Sequence, residues 1–441
     1  MSKVHVVGGG LAGVEAAWQV LSQGVPVTLY EMRPHKQTPA HKTGDLAELV
    51  CSNSFKSQSE GSAPGLLKRE MAYFNSLVVQ CAKEAAVPAG QALAVDRLKF
   101  SASIRKQLES YENFSLVHKE VASIPEDLEG YEAEDLVIVA SGPLTSDDLS
   151  NFVSKAIGRN DNLYFYDAIA PVVSGDTLDE TKIFRASRWD EDADGDYLNI
   201  PLTKEQYEEF IDDVLAAEKA PLHNFEEPNY FESCLPIEVM AGRGRDTLRF
   251  GPMKPSGLTD PKTGRWPYAN IQLRMEDNQG AMYSLVGFQT KMKWPEQKRI
   301  FSKLPGLENV EFYKLGSVHR NTYINGPEAL DQNLRLKNRP DILMAGQITG
   351  VEGYTESAAI GLLAGRSAAS ILTERNLRMP PFNTMMGSLL HHVTVGTRGD
   401  YQPMNANLGL LPRIPKQRGV SKAERKKIQC ERAWNSLEQH M

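Results

Sequence analysis

Val4-His5-Val6-Val7-Gly8-Gly9-Gly10-Leu11-Ala12-Gly13 opens the chain and decides how the rest is read. A short strand pattern runs into G-x-G-x-x-G. Leu11, Val14, Trp18 and Leu21 then recur at the spacing of one helix face, up to about Gln23. Gly24 is a natural helix stop. A second strand, Val25–Tyr30, ends in Glu31, 18 residues beyond Gly13. In a strand–turn–helix of this kind, Gly8 permits the tight turn and Gly10 lets the backbone approach a pyrophosphate. Gly13 allows helix and strand to pack closely. The helix N-terminus favours the phosphates, and Glu31 is placed for a ribose hydroxyl. Gly9, Leu11, Ala12, Met32 and Arg33 complete the expected contacts. The predicted class is α/β: a doubly wound, Rossmann-like dinucleotide domain.

The far end of the chain decides which dinucleotide. Asp341-Ile342-Leu343-Met344-Ala345 reads as another buried strand, running into the turn-rich stretch Gly346–Ser357 and a small-residue helix, Ala358–Ser370. Two-part FAD folds return such a late strand–turn–helix to the flavin side of the cofactor, so FAD is expected. Gly346, Gln347, Gly350 and Glu352 are its candidate contacts. Val137–Ala140, followed by Ser141-Gly142-Pro143, reads as a third strand ending at the same crevice. Both chain ends then form the FAD-binding domain, residues 1–180 and 315–441, with a mixed α/β domain inserted at 181–314.

Composition sets the outer bounds. The 441 residues are 41% hydrophobic and 24% charged, ordinary values for a globular protein. The opening shows no basic n-region and no cleavage site, so no signal peptide is expected, and no apolar run approaches the ~18 residues of a spanning helix. A cytoplasmic, monomeric protein without a membrane partner is expected. The net charge of −7 is unevenly spread. Pro412–Arg432 holds eight Lys or Arg against two Glu, and both Met240–Lys254 and Lys291–Arg299 hold four basic residues to one acidic. Such asymmetry permits a basic face for RNA on an acidic protein, and solvated surface charge explains it equally well. Asp190–Gly195 opens like a calcium loop, but Pro201 stands where a bidentate Glu is needed. His391-His392 lacks partners at ligand spacing, so no metal is expected.

Four cysteines, Cys51, Cys81, Cys234 and Cys430, form no C-x-x-C pair. That usage suits a reducing compartment and gives no disulfide framework. Cys51 lies in Glu48-Leu49-Val50-Cys51-Ser52-Asn53-Ser54, a small polar loop soon after the dinucleotide unit. Reactive thiols favour such surroundings and buried structural ones do not. Cys234 lies in Ser233-Cys234-Leu235-Pro236, with Glu238 near and Arg243 and Arg245 just downstream. Cations there would favour a thiolate or hold phosphates. Cys81 sits in a helical pattern and Cys430 in a charged tail, and both read as structural.

Taken together these stretches closely resemble the TrmFO family, the folate- and FAD-dependent tRNA (uracil-5-)-methyltransferases, over essentially the whole chain. The resemblance includes Tyr30-Glu31-Met32-Arg33-Pro34, the Cys51 loop, Asp96-Arg97, Ser141–Thr145 and Glu232–Glu238. It continues through Gly251–Pro255, Val286–Thr290, His319–Thr322, the 345–357 run and Gln402–Asn405. A more distant resemblance is to GidA-type flavoproteins. The TrmFO resemblance implies C5 methylation of a T-loop uridine in tRNA, with 5,10-methylenetetrahydrofolate as one-carbon donor, FADH2 as hydride source and NADH or NADPH as reductant.

Uracil carbon 5 is a weak nucleophile until a thiolate adds at carbon 6. The enolate so formed attacks the one-carbon unit, a base removes the carbon 5 proton, and elimination of the thiol leaves a methylene for hydride reduction. By resemblance Cys234 is the nucleophile and Cys51 the base or second thiol, with an exchange of roles open. His319, Arg320 and Asn321 are candidates for the folate: an imidazole face suits a pterin and a guanidinium its glutamate carboxylate. A buried, hydrogen-bonded His319 explains that residue equally well. The same chemistry on ribosomal RNA is the first alternative; a flavin disulfide reductase using Cys51 and Cys234 is a second.

Overall fold

The computed structural model describes residues 2–158, 163–168, 170–189, 195–220, 235–276, 280–396, 401–412, 414 and 420–441. β1 (Val4–Val7) is buried at every position and stands mid-sheet, the setting that near-continuous apolar strands suit. It pairs in parallel with β2 (Val27–Tyr30) on one side and with Leu136–Val139 on the other. Phe114–Val117 extends one edge in parallel. Arg339–Met344 extends the other, capped by the antiparallel Arg335–Leu336. Strand order therefore reverses at β1, and the crevice beyond its carboxyl end is where such sheets bind ligands. Helix α1 (Leu11–Leu21) is buried along its whole length. It packs against the late helix Tyr354–Thr373, whose Ala358, Ala359, Ala364 and Ala368 are fully buried. That late helix begins at Tyr354, four residues before the expected Ala358, so the turn-rich stretch is shorter than the sequence suggests.

A second sheet is antiparallel throughout. Its order is Phe184–Arg185, Tyr197–Leu202, Ala269–Met275, Met282–Leu285, Val172–Ser174 and Phe312–Lys314. It carries its own core with the helices Lys204–Ala216, Ile237–Gly242 and Trp294–Phe301, including Phe210, Phe288 and Phe301. Val172–Ser174 thus belongs to this sheet, ahead of the residue 181 expected for the insertion. Where the chain passes between the two cores, Leu163–Ala168 and Val318–Tyr323 pair antiparallel. A small sheet of Ser54–Ser57, Ala92–Val95 and Ala86–Val87 follows the Cys51 loop.

The basic tail is a docked helix. Ser421 and Glu424 form a reciprocal cap at the start of Lys422–His440, and Cys430, Ala433 and Leu437 are buried in the first core. Cys430 is therefore interior, in keeping with its structural reading despite the charged neighbours. Burial pushes both its thiol and that of Cys81 up to about 11, as structural cysteines require. Among the described residues, no helix is long and apolar enough to cross a membrane.

Candidate active site

A cavity opens at the carboxyl end of β1, lined by Gly8–Ala12, Glu31–Arg33, Ser141–Thr145, Gln347, Tyr354 and Ser357. Gly10 caps α1 with extended backbone and no side-chain hydrogen bond, and the first turn holds no acidic residue. The amides of that turn are thus left for an anion. The same cavity is lined by this turn, by Glu31 and by Tyr354, a space that a dinucleotide could occupy. Gly13 stands behind it, against the Gly8 carbonyl.

Glu31 is more deeply committed than its expected role implies. Its carboxylate accepts from the Gly9 amide (3.0 Å), the Arg33 amide (3.0 Å), and Arg33 Nε (2.9 Å) and Nη2 (3.0 Å). Burial raises its pKa, but the Arg33 hydrogen bonds and charge outweigh that and hold it below the ordinary value. Those four bonds occupy about all of a carboxylate's acceptor sites, so Glu31 first fixes the Gly9 turn and a ribose hydroxyl must share an oxygen. Arg33 also reaches Glu48 (2.8 Å) and the Asp45 carbonyl (3.1 Å), which ties the segment before Cys51 to the cofactor turn.

Gln347 lines the cavity and donates to Glu352 (2.8 Å). Gly346 and Gly350 bracket the short helix Gln347–Thr349 behind it, both at positive φ. Met32 lies in the wall. Asn321 is 2% exposed, and its Nδ2 has no partner among the described residues, a buried donor that a ligand could satisfy. The backbone of its strand meets the cavity, the Thr322 amide donating to the Pro143 carbonyl (2.9 Å). His319 and Arg320 occupy the same strand. Cys234 lies outside the described residues. Glu238, just beyond it, is buried and accepts from Thr290 Oγ1 (2.9 Å) and the Lys291 amide (2.6 Å). Arg243 and Arg245 are exposed on the second core, and Arg245 is engaged with Asp212 at 2.6 Å.

The Cys51 loop is held from both cores. Tyr354, which lines the cavity, has its hydroxyl oxygen 2.8 Å from the Cys51 amide, 3.2 Å from the Ser52 amide and 3.0 Å from Cys51 Sγ. A phenol offers two lone pairs and one hydrogen. With two amides on the lone pairs, its own hydrogen remains for the sulfur. Burial first, then the charge of Cys51, raises the Tyr354 pKa well above the ordinary value, so it remains a donor. From the other side Lys314 Nζ donates to the Val50 carbonyl (2.6 Å) and Arg97 Nη1 to the Leu49 carbonyl. Arg97 also pairs with Glu276 (2.8 Å), while Arg274 donates to Asn53 Oδ1 and Ser52 Oγ (each 2.9 Å). Positive charge beside the sulfur is the setting that favours a thiolate.

Arg97 stands in a stretch the sequence singles out without a role; Tyr354, Arg274 and Lys314 carry no local signal beyond Tyr354's place after Gly353. Replacing Tyr354 by Phe leaves two loop amides without their acceptor. A loss of about 1–3 kcal/mol is expected, read as a lower unfolding midpoint and faster proteolysis near residue 51. Lys314 is pushed down to about 8, by burial first and then by Arg97 and Lys42. Its charge is therefore present below pH 8 and lost above it. An alkaline fall in activity near pH 8 is expected, and Lys314→Met should remove it; an unchanged limb in that variant would exclude Lys314 as its source.

Residues 3–376 match the family model described as glucose inhibited division protein A. The chain is 51% identical over 440 residues to methylenetetrahydrofolate--tRNA-(uracil-5-)-methyltransferase TrmFO of Desulfotalea psychrophila, covering 99% of this chain and 97% of that protein. It is 50% identical to the protein of the same name from Geobacter sulfurreducens, covering 99% and 98%. Among solved structures it resembles Aquifex aeolicus GidA, with a TM-score of 0.70 at 17% identity over 99% of this chain and 75% of that one. At that identity the likeness concerns the fold alone.

Proposed function

The chain belongs to the glucose inhibited division protein A family, in its TrmFO branch, and on that premise we propose how its residues methylate uridine. The protein is a methylenetetrahydrofolate--tRNA-(uracil-5-)-methyltransferase that uses FAD and folate. The observation that carries the site assignment is Cys51 Sγ at 3.0 Å from the hydroxyl of Tyr354, a residue that lines the cavity.

When bound, reduced flavin supplies a hydride and the folate a one-carbon unit. The chain's own residues do the rest. The amides of the first turn of α1 hold the pyrophosphate, and Glu31 with Gly9 and Arg33 fixes the ribose end. Gln347 lines the wall, positioned by Gly346, Gly350 and Glu352, and Asn321, His319 and Arg320 meet the folate. Cys234 adds to carbon 6 of uracil, and Cys51, held by Tyr354 and bordered by Arg97 and Lys314, takes the proton from carbon 5. Arg243 and Arg245 contact RNA from the second core. The target is the T-loop uridine, the reductant NADH or NADPH, and the working form a cytoplasmic monomer with a cofactor domain from both chain ends and an insertion that begins ahead of residue 181, so as to include Val172–Ser174, and runs to about 314.

The test supplies an unmodified tRNA transcript, NADPH or NADH, and methylenetetrahydrofolate labelled in its methylene group. Label in 5-methyluridine of the T loop is expected, with none from S-adenosylmethionine. Label appearing only in ribosomal RNA would move the target, and label in neither RNA would overturn the reading.

A further inference from the structure

Trp189 and Trp266 stand on the second core, 70% and 52% exposed, edge to face with ring centroids 5.8 Å apart. Large rings left in water contribute little to a fold, yet this pair is built with care. Trp189 has φ 62, a conformation costly for a residue with a side chain. Its surroundings impose it. Its amide donates to the Gly257 carbonyl (3.1 Å). Arg188 clamps the facing loop through the Ser256 and Lys254 carbonyls (each 2.7 Å), while its Nε donates to Gln272 (3.1 Å). Gly257 has φ +80, and a Cβ there would stand 2.7 Å from the Trp189 ring. Trp266 follows a closed turn in which Asp260 and Arg265 pair. Strain kept to hold a ring toward solvent marks a surface used for contact.

Charge around the rings is mixed: Arg265 directly precedes Trp266, and Lys254 and Lys262 are exposed, the Lys262 ammonium meeting the Thr181 carbonyl, while Asp190, Glu191, Asp192 and Asp194 follow Trp189 in the sequence. The mount is also joined to the catalytic loop. Gln272, which anchors Arg188, shares the strand Ala269–Met275 with Arg274, which holds Ser52 and Asn53.

We propose that Trp189 and Trp266 form a stacking platform for unpaired bases of the RNA substrate, beside the uridine presented to the catalytic loop. Paired aromatic faces suit single-stranded nucleic acid, because every base has a π face, and the exposed Lys254 and Arg265 are available to its phosphates. An enzyme that draws one base out of a structured loop also exposes its neighbours, which such rings can cover. The proposal rests on RNA being the substrate.

The test uses the full-length, FAD-loaded protein and a T-arm RNA hairpin. Trp189→Ala and Trp266→Ala are compared with the conservative Trp266→Phe for KM, kcat, flavin content and intrinsic fluorescence quenching by RNA. Expected are a KM raised about tenfold or more by each alanine variant, with kcat at saturating RNA falling far less. Trp266→Phe should recover most of the KM, and the quenching of the wild type should shrink in both alanine variants. An unchanged KM and quenching in the double alanine variant would overturn the platform while methylation by the wild type stood. Loss of self-association in that variant with RNA binding intact would assign the rings to contact between copies, and also overturn it. A wild type that methylates no RNA would overturn the underlying reading instead.

Discussion

Cys51→Ala is expected to lower methylation by about 10²–10⁴-fold while flavin stays bound, the range over which a positioned acid–base group acts. The sulfur touches Tyr354, and the loop around it is held by main-chain contacts that alanine preserves: the Cys51 and Ser52 amides on Tyr354, and the Val50 carbonyl on Lys314. Cys51 is only partly buried, so stability should change by less than about 1 kcal/mol. Loss of rate with normal flavin absorbance and unfolding would therefore be chemical in origin. A uridine analogue bearing fluorine at carbon 5 separates the two sulfurs, because the proton to be removed is absent and the carbon 6 adduct accumulates. Cys51→Ala should still form that adduct and Cys234→Ala should not. The reverse pattern would exchange their roles, and adduct formation by both variants would remove cysteine addition from the mechanism.

Gly13→Ala is expected to yield protein without flavin, or none that folds. A Cβ at Gly13 would lie 1.8 Å from the Gly8 carbonyl oxygen, a backbone atom that cannot retreat without unpairing β1. Gly8 itself has φ +108, and a Cβ there would meet the Ala140 carbonyl at 2.5 Å. Gly10→Ala makes the informative contrast. Nothing lies within 4 Å of a Cβ at that position, so the variant should fold with an unchanged unfolding midpoint when freed of flavin. Weaker flavin retention in Gly10→Ala would then report on the approach of the pyrophosphate alone. Equal flavin affinity in Gly10→Ala and the wild type would show that the phosphates lie elsewhere.

The tail helix shows how far pattern alone carries. Eight cations between Pro412 and Arg432 read as a charged surface, and among the described residues Lys426, Lys427 and Arg432 are exposed. The helix Lys422–His440 nevertheless buries Cys430, Ala433 and Leu437 against the first core, one face whose apolar spacing is sparse. The late helix likewise begins at Tyr354 and not at Ala358, because helix starts depend on how the preceding turn is seated.

What the sequence determined by itself was local. The glycines of residues 8–13, the buried strand before them and Glu31 after the next strand specify a cofactor turn, because a tight turn, a helix N-terminus and close packing are properties of neighbouring residues. Cys51 was likewise legible as a thiol in a polar loop. Tertiary structure alone decided what surrounds that thiol. Tyr354, Arg97, Arg274 and Lys314 come from a late helix, an early helix and two strands of the second sheet. The charges of Arg97 and Lys314 act on the sulfur through space, and the Tyr354 hydroxyl touches it, whatever their separation along the chain. No spacing rule joins residue 51 to residues 274, 314 and 354; only the packing of the two cores brings them together.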